Sequence, residues 1–127
     1  RNNPNVTLLE RTNARYLTVE QVPKAPDIVV CDASFIGLQT VLPAAMDLAS
    51  PDASLIALIK PQFEAAKNLV EKGGVVRDSN VHNMICNQIK DWLDGQLNWK
   101  FLGICESPIL GPEGNKEFLV AARKNTD

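Results

Sequence analysis

A chain of 127 residues with 45% hydrophobic and 22% charged residues can form one domain with a sizeable core, and this composition argues against disorder. The formal net charge of −2 lacks the strongly basic balance of many nucleic-acid-binding proteins. The longest apolar run is far shorter than a membrane span, and no signal-peptide pattern stands at the start, so we expect no association with a membrane.

The first predicted element is a short strand at residues 6–9, which runs into the polar stretch 10–15. Polar residues at the end of a strand can line a ligand site. A solvated turn between a strand and a helix is the simpler interpretation, and these residues alone favour it. A second strand is predicted at residues 28–31, after a loop bracketed by Pro23 and Pro26.

An amphipathic helix is predicted over residues 38–49, because apolar residues recur there at helical spacing. Ser34 is a candidate N-cap for this helix. Pro43 lies inside the pattern and should either kink the helix or mark its effective start, because proline has no backbone donor. A third strand is predicted at residues 54–59.

A second amphipathic helix is predicted from about residue 80 to residue 94, with Asp78 or Ser79 as its N-cap. Strands at 99–106 and 117–123 follow, joined by a loop rich in proline and glycine. Two strands joined in this way predict an antiparallel hairpin on an otherwise parallel sheet. The alternation of strands and helices indicates an α/β layered domain.

The three cysteines, Cys31, Cys86 and Cys105, have no spacing typical of a metal site, and each lies in an apolar stretch. We therefore predict buried free thiols and no metal. Free thiols are typical of a reducing compartment, which indicates a cytoplasmic protein.

Two of the predicted strands end in charged residues. The continuous apolar run at 28–31, typical of a strand covered on both faces, stops at Asp32, and the run at 54–59 stops at Lys60. Ligands in open α/β sheets bind beyond the carboxyl ends of the strands, so these two side chains are candidates for one site. On spacing alone, an ordinary salt bridge at the edge of the sheet is the alternative.

Five segments, taken in order, resemble one known family. They are Glu-Arg-Thr-Asn-Ala-Arg at 10–15, Asp-Ala-Ser-Phe-Ile at 32–36, Lys-Pro-Gln-Phe-Glu at 60–64, Gly-Gly-Val-Val-Arg-Asp at 73–78 and Ser-Pro-Ile-Leu-Gly-Pro-Glu-Gly-Asn-Lys-Glu-Phe-Leu at 107–119. Together they closely resemble the TlyA family. Its members are often labelled haemolysins but are similar to ribosomal RNA 2′-O-methyltransferases with an FtsJ/RrmJ-like catalytic domain.

This resemblance implies a methyltransferase that depends on S-adenosyl-L-methionine. Its fold would be Rossmann-like, with a mostly parallel sheet and an antiparallel last strand. Three members of the family's Lys-Asp-Lys-Glu catalytic set match here, at Asp32, Lys60 and Glu117. The first lysine, the glycine-rich loop, the acid after the second strand and the S4-like RNA-binding module are not in the sequence. Residues 1–127 therefore resemble the C-terminal portion of such a protein, and the fold is expected to be incomplete.

The resemblance also implies the ligands. Thr12 or Asn13 would contact the adenine of S-adenosyl-L-methionine, and Asp32 and Ala33 would flank its methionine side. The implied partner of the full-length protein is ribosomal RNA or a ribosomal subunit. The fragment alone is expected to be inactive and to associate with itself through open sheet edges.

Two other functions come from different classes. The chain could be a non-catalytic fragment or interaction domain that binds no cofactor, which the absence of a glycine-rich loop would favour. A membrane-lytic activity, as the haemolysin label suggests, has no support in the sequence, because a folded core accounts for the amphipathic stretches.

Overall fold

The computed structural model describes residues 2–126, which form one four-stranded sheet with α-helices packed on one face. The strands are β1 (Ile28–Cys31), β2 (Ser54–Ile59), β3 (Trp99–Glu106) and β4 (Phe118–Lys124). The α-helices are α1 (Leu38–Leu48), α2 (Pro61–Glu64) and α3 (Ser79–Asp94), and short 3₁₀ helices span Ala14–Tyr16, Lys67–Leu69 and Pro112–Gly114. The predicted α/β class and most predicted elements are confirmed.

The strand order is β1-β2-β4-β3, so the last strand inserts between the second and the third. β1 pairs with β2 in parallel, and β4 is antiparallel to both β2 and β3. Three strands therefore run in one direction and β4 alone runs in the other. This arrangement confirms an incomplete Rossmann-like sheet with a C-terminal antiparallel hairpin, although only one of the three pairings is parallel.

The core lies on the face of the sheet that α1 and α3 cover. Along β2, the buried side chains alternate with more exposed ones, as the two-residue period of a strand requires. The apolar stripes of the two helices pack on this face. The core residues, all buried, are Val29, Leu38, Val41, Leu42, Met46, Ala49, Ala53, Leu55, Ala57, Ile59, Ile85, Ile89, Leu93, Trp99, Val120 and Ala122.

The opposite face of the sheet is apolar but open in the described part of the chain. Val30 is 73% exposed, and Ile56, its partner in the β1–β2 register, is 46% exposed. Leu102 on β3 is also exposed. The prediction that β1 is covered on both faces is therefore wrong for residues 2–126, and the continuous apolar run 28–31 was misleading on this point.

The strand predicted at residues 6–9 is absent from the structure. This stretch is exposed and has no strand partner among the described residues. A strand without a neighbour has no inter-strand hydrogen bonds or cross-strand packing to offset the entropy lost when its backbone is ordered, which explains why β-propensity alone did not produce one here. Cys105 is also exposed, so the prediction of buried thiols is wrong for that residue, whereas Cys31 and Cys86 are half-buried.

The C-terminal end of α1 is held by β4. The Lys124 ammonium donates to the carbonyl oxygens of Met46 and Ala49 at 3.0 and 2.7 Å. A cation at this position satisfies free carbonyls and complements the helix dipole. Pro43 lies within α1, so it does not mark the effective start of the helix.

Candidate active site

The charged ends of β1 and β2 meet at one edge of the sheet. The Lys60 ammonium forms an ion pair with the Asp32 carboxylate and donates to the Ser34 hydroxyl at 3.5 Å. The Lys60 side chain is 12% exposed, whereas that of Asp32 is 69% exposed. The lysine stem therefore packs inside the protein, and the carboxylate that pairs with it faces solvent, where a ligand could reach it.

Glu117 lies at the same edge, directly before β4, the strand that pairs with β2. Ile59 pairs with Phe118 in the β2–β4 register, so the residue after one and the residue before the other are neighbours. Glu117 is 7% exposed, and its carboxylate accepts a hydrogen bond from the Gln62 amide nitrogen at 2.9 Å. The structure thus brings Asp32 and Lys60 into contact and holds Glu117 beside them through Gln62.

Gly111 packs directly against the Glu117 carboxylate. A Cβ atom at position 111 would lie 2.2 Å from the Glu117 Oε2 atom and 2.7 Å from its Cδ. Such distances are far inside van der Waals contact, so any larger residue at 111 would displace the carboxylate. Close packing against Glu117 therefore explains why position 111 is a glycine.

The loop that leads into Glu117 is anchored by Asn115, which is 1% exposed. Its side-chain oxygen accepts from the Val76 amide at 2.9 Å, and its amide nitrogen donates to the carbonyls of Gly74 and Pro112 at 3.0 and 2.9 Å. The bonds with Val76 and Gly74 tie the loop to the Gly73-Gly74 turn and the residues just after it. They fix the path of the backbone into β4, and so the position from which Glu117 projects.

Glu64, the last residue of α2, joins that helix to the start of α1. Its carboxylate accepts from the Leu38 backbone amide at the start of α1, at 2.9 Å. Burial raises the pKa of the Glu64 carboxyl, and the bond from Leu38 partly offsets that rise. The predicted N-cap Ser34 does not fill this role: Gly37 is the N-cap residue, and Glu64 supplies the missing acceptor from elsewhere in the chain.

An exposed aromatic ring stands beside this edge. Phe35 is 87% exposed, has a backbone φ of 64°, and contacts the Phe63 ring with the centroids 4.8 Å apart. A positive φ in a bulky residue is uncommon and often marks a functional position. Sequence reasoning did not single out Phe35, Gln62 or Glu64, although the motifs at 32–36 and 60–64 contain all three.

Thr12 and Asn13 use their side chains locally. The Thr12 hydroxyl donates to the Glu10 carbonyl at 3.0 Å, and the Asn13 oxygen accepts from the Arg15 amide at 3.0 Å, which caps the first 3₁₀ helix. That 3₁₀ helix packs near α1. These hydrogen bonds stay within residues 10–15 and do not reach Asp32 or the half-buried Ala33.

A groove of about 200 Å³ opens on the uncovered face of the sheet, with Asp32 at its rim and apolar side chains as its floor. The lining residues include Val30, Cys31, Asp32, Ile56, Leu58 and Leu119. Pockets for cofactors and other small molecules measure about 300–1,000 Å³. The groove is smaller than this range, and it combines an apolar floor with one carboxylate.

A mixed sheet whose antiparallel last strand lies between two strands of the opposite direction is the arrangement of an incomplete Rossmann-like fold. The model of the FtsJ-like methyltransferase family matches residues 1–124. The chain therefore belongs to this family.

The chain is 45% identical over all of its 127 residues to the 16S/23S rRNA (cytidine-2′-O)-methyltransferase TlyA of Mycobacterium tuberculosis, of which it covers 47%. Two solved structures named as hemolysins are similar in fold. The one from Lactococcus lactis is 33% identical with a TM-score of 0.90, and the one from Streptococcus thermophilus is 32% identical with a TM-score of 0.89. This chain is covered to 99% and 98%, and those chains to 60% and 45%.

The chain thus spans about half the length of the relatives that it matches. No helix within residues 2–126 has both the length and the hydrophobicity that crossing a bilayer requires.

Proposed function

We propose that this chain carries catalytic residues for 2′-O-methylation of ribosomal RNA ribose in the cytoplasm, with S-adenosyl-L-methionine as the methyl donor. The observation that carries the proposal is the ion pair of Lys60 and Asp32 at the strand ends, with Glu117 at the same edge. The named activity of the mycobacterial relative, at 45% identity over the whole chain, supports the same substrate class.

The ribose 2′-hydroxyl is a poor nucleophile until its proton is removed or strongly hydrogen-bonded. Lys60 is the group proposed to take that role, since its ammonium nitrogen is fixed at the edge by Asp32 and Ser34. It can accept a proton only in its neutral form. The two carboxylates, Asp32 and Glu117, are proposed to orient the lysine and the ribose, and correct alignment can by itself supply much of the rate.

S-adenosyl-L-methionine would supply a methyl group on a positively charged sulfur. Asp32 and Ala33 are proposed to flank its methionine side, since Asp32 stands at the rim of the groove. Thr12 and Asn13 are proposed to bond the adenine edge, which requires both side chains to exchange their present local partners. The size of the groove supports a site that further chain completes, and we propose that residues 1–127 alone are inactive.

The exposed Phe35 ring offers a flat apolar surface next to the ion pair. Aromatic side chains commonly stack on the unpaired bases of RNA. The exposed position of the Phe35 ring therefore supports a nucleic-acid substrate over a small molecule.

The proposal is tested by methyl transfer from labelled S-adenosyl-L-methionine to ribosomal RNA, catalysed by the intact encoded protein. Lys60→Ala is expected to lower the rate by a factor on the order of 100 or more, as for loss of a group that transfers a proton. The control is Lys24→Ala, because this exposed lysine lies before β1, at the opposite end of that strand. Full activity of Lys60→Ala would contradict the catalytic assignment.

We further propose that the 127-residue chain, taken alone, associates with itself through the outer edge of β1. Among the described residues, β1 pairs only with β2, and its exposed Val30 adds apolar surface to that edge. Unpaired strand edges are templates for pairing with another chain.

A further inference from the structure

Gln62 connects two parts of the candidate active site. It lies in α2, two residues after Lys60, and its amide nitrogen donates to the Glu117 carboxylate at 2.9 Å. The contact joins residues that are 55 positions apart in the sequence. Because Glu117 is buried, this hydrogen bond has little competition from water.

The orientation of the Gln62 amide is determined by Glu117. The amide oxygen is buried and has no hydrogen-bond partner among the described residues. Turning the amide over would place that oxygen against the carboxylate, where two acceptors would repel each other. The side chain therefore keeps its nitrogen on Glu117 and leaves its oxygen unpaired, an arrangement that is costly for a buried polar atom.

Gly111 blocks the carboxylate from another direction, since an added Cβ would lie 2.2 Å from its Oε2 atom. The Glu117 carboxylate is thus held by the Gln62 amide from α2, and it packs against the backbone at Gly111 in the loop 107–117. Two unrelated segments restrict one side chain. Such restriction is what a group that must meet a substrate in a fixed geometry requires.

We propose that Gln62 is a positioning residue, which orients Glu117 relative to Lys60 for the transfer step. This inference depends on the proposed function, since it assumes that Glu117 takes part in the reaction. Gln62 acts through Glu117 and need not touch the ribose or the cofactor.

The test is a double-mutant cycle in the intact encoded protein, measured by methyl transfer to ribosomal RNA. Gln62→Ala is expected to lower kcat by a factor on the order of 10–100, with little change in KM for RNA, as for loss of one hydrogen bond to a charged group. In a Glu117→Ala background, Gln62→Ala is expected to have no further effect, because the group that it orients is gone.

Gln62→Glu separates positioning from packing, since the two side chains have nearly the same shape. A carboxyl at 62 can share a hydrogen bond with the Glu117 carboxyl only when one of the two groups carries a proton, because two carboxylates are both acceptors. Relative to the unchanged protein, this variant is therefore expected to recover activity as the pH falls and to lose it as the pH rises. A purely structural role for Gln62 predicts no such change in the pH profile.

Three results would overturn the inference. They are an unchanged kcat for Gln62→Ala beside a Glu117→Ala variant whose kcat is strongly lowered but measurable, a full additional loss in the double variant, or a pH profile of Gln62→Glu that matches the unchanged protein. Full activity of Glu117→Ala would instead contradict the role of Glu117 itself, and this inference with it, whereas the proposed function is judged by the activity of the unchanged protein and of Lys60→Ala. Thermal melting of each variant shows whether the fold is retained, and Gln62→Met, which keeps the bulk without the donor, is expected to match Gln62→Ala in kcat.

Discussion

The two faces of the sheet differ sharply although the same four strands build them. On the helix-covered face, Leu55 is fully buried, while its neighbour Ile56 on the open face is 46% exposed. The difference shows that residues 2–126 contain a complete core on one face and apolar surface without a cover on the other. The candidate active site lies between these two faces, at the end of the sheet where β1 and β2 end and β4 begins.

The same contrast recurs within the site. Glu117 is enclosed by Gln62, Gly111 and the loop that Asn115 anchors, whereas Asp32 opens toward the uncovered face and its groove. The part of the site that adjoins the complete core is rigidly positioned. The cofactor proposed above would meet the exposed part, beside Asp32.

The largest expected effect separates the two faces directly. Leu55→Ala should lower the free energy of unfolding of the 127-residue chain by about 2–5 kcal/mol, because it leaves a cavity in the covered core. Ile56→Ala, one position along on the open face, should lower it by about 1 kcal/mol or less. Urea titration followed by circular dichroism measures both.

Equal losses for the two variants would show that the open face is also packed. In a protein where further chain covers this face, Ile56→Ala should become as costly as Leu55→Ala. Comparing Leu55→Ala with Ile56→Ala therefore also shows whether further chain packs on the open face of the sheet.

A smaller effect is expected at the contact between Glu64 in α2 and Leu38 at the start of α1. Glu64→Ala removes the acceptor for the Leu38 amide and should cost about 1 kcal/mol of stability, as for loss of a helix cap. Glu64→Gln keeps an oxygen acceptor but cannot ionise, and serves as the matched control.

The pH dependence of the Glu64 contact follows from its raised pKa. A carboxyl whose folded pKa is higher than its unfolded pKa stabilises the fold most when protonated. Its contribution is fully present below the ordinary value of 4.5 and is lost as the pH rises through the higher folded value. Stability of the unchanged chain should therefore fall relative to Glu64→Gln as the pH rises over this range, and a constant difference would contradict the burial effect.

The smallest effect on stability, and a distinct effect on association, is expected at Val30. Val30→Lys places a charge on the exposed edge strand and should change the unfolding free energy by about 0.5 kcal/mol or less. It should reduce self-association of the 127-residue chain, since edge lysines block strand pairing. Light scattering over a concentration series measures this, and an unchanged chain that is monomeric throughout would contradict the proposed association.

The sequence predicted the parts of the fold that depend on local pattern. The apolar runs that end at Asp32 and Lys60 marked two strand ends, and strands that run in parallel bring such ends to one edge. The 3.6-residue period located α1 and α3, and Asp78 caps α3 as predicted. Thr12 and Asn13 remain predictions as cofactor ligands.

The parts that failed depend on distant neighbours. The stretch 6–9 had strand propensity but no partner, and the apolar run of β1 did not reveal that Val30 is exposed. The contacts of Glu64 with Leu38 and of Gln62 with Glu117 join residues 26 and 55 positions apart. No local pattern encodes such pairs, so the features that orient the site became visible only in three dimensions.

The most direct test of the central claim, that the strand ends form one catalytic site, is single-turnover methyl transfer by the intact encoded protein carrying Asp32→Asn. This change keeps the shape of the side chain and removes the charge that pairs with Lys60. The matched control is Asp27→Asn, just before the other end of β1, where an amide oxygen can still accept from Ser50. The account predicts a loss on the order of 100-fold for Asp32→Asn and none for Asp27→Asn; a rate for Asp32→Asn equal to that of the unchanged protein would contradict it.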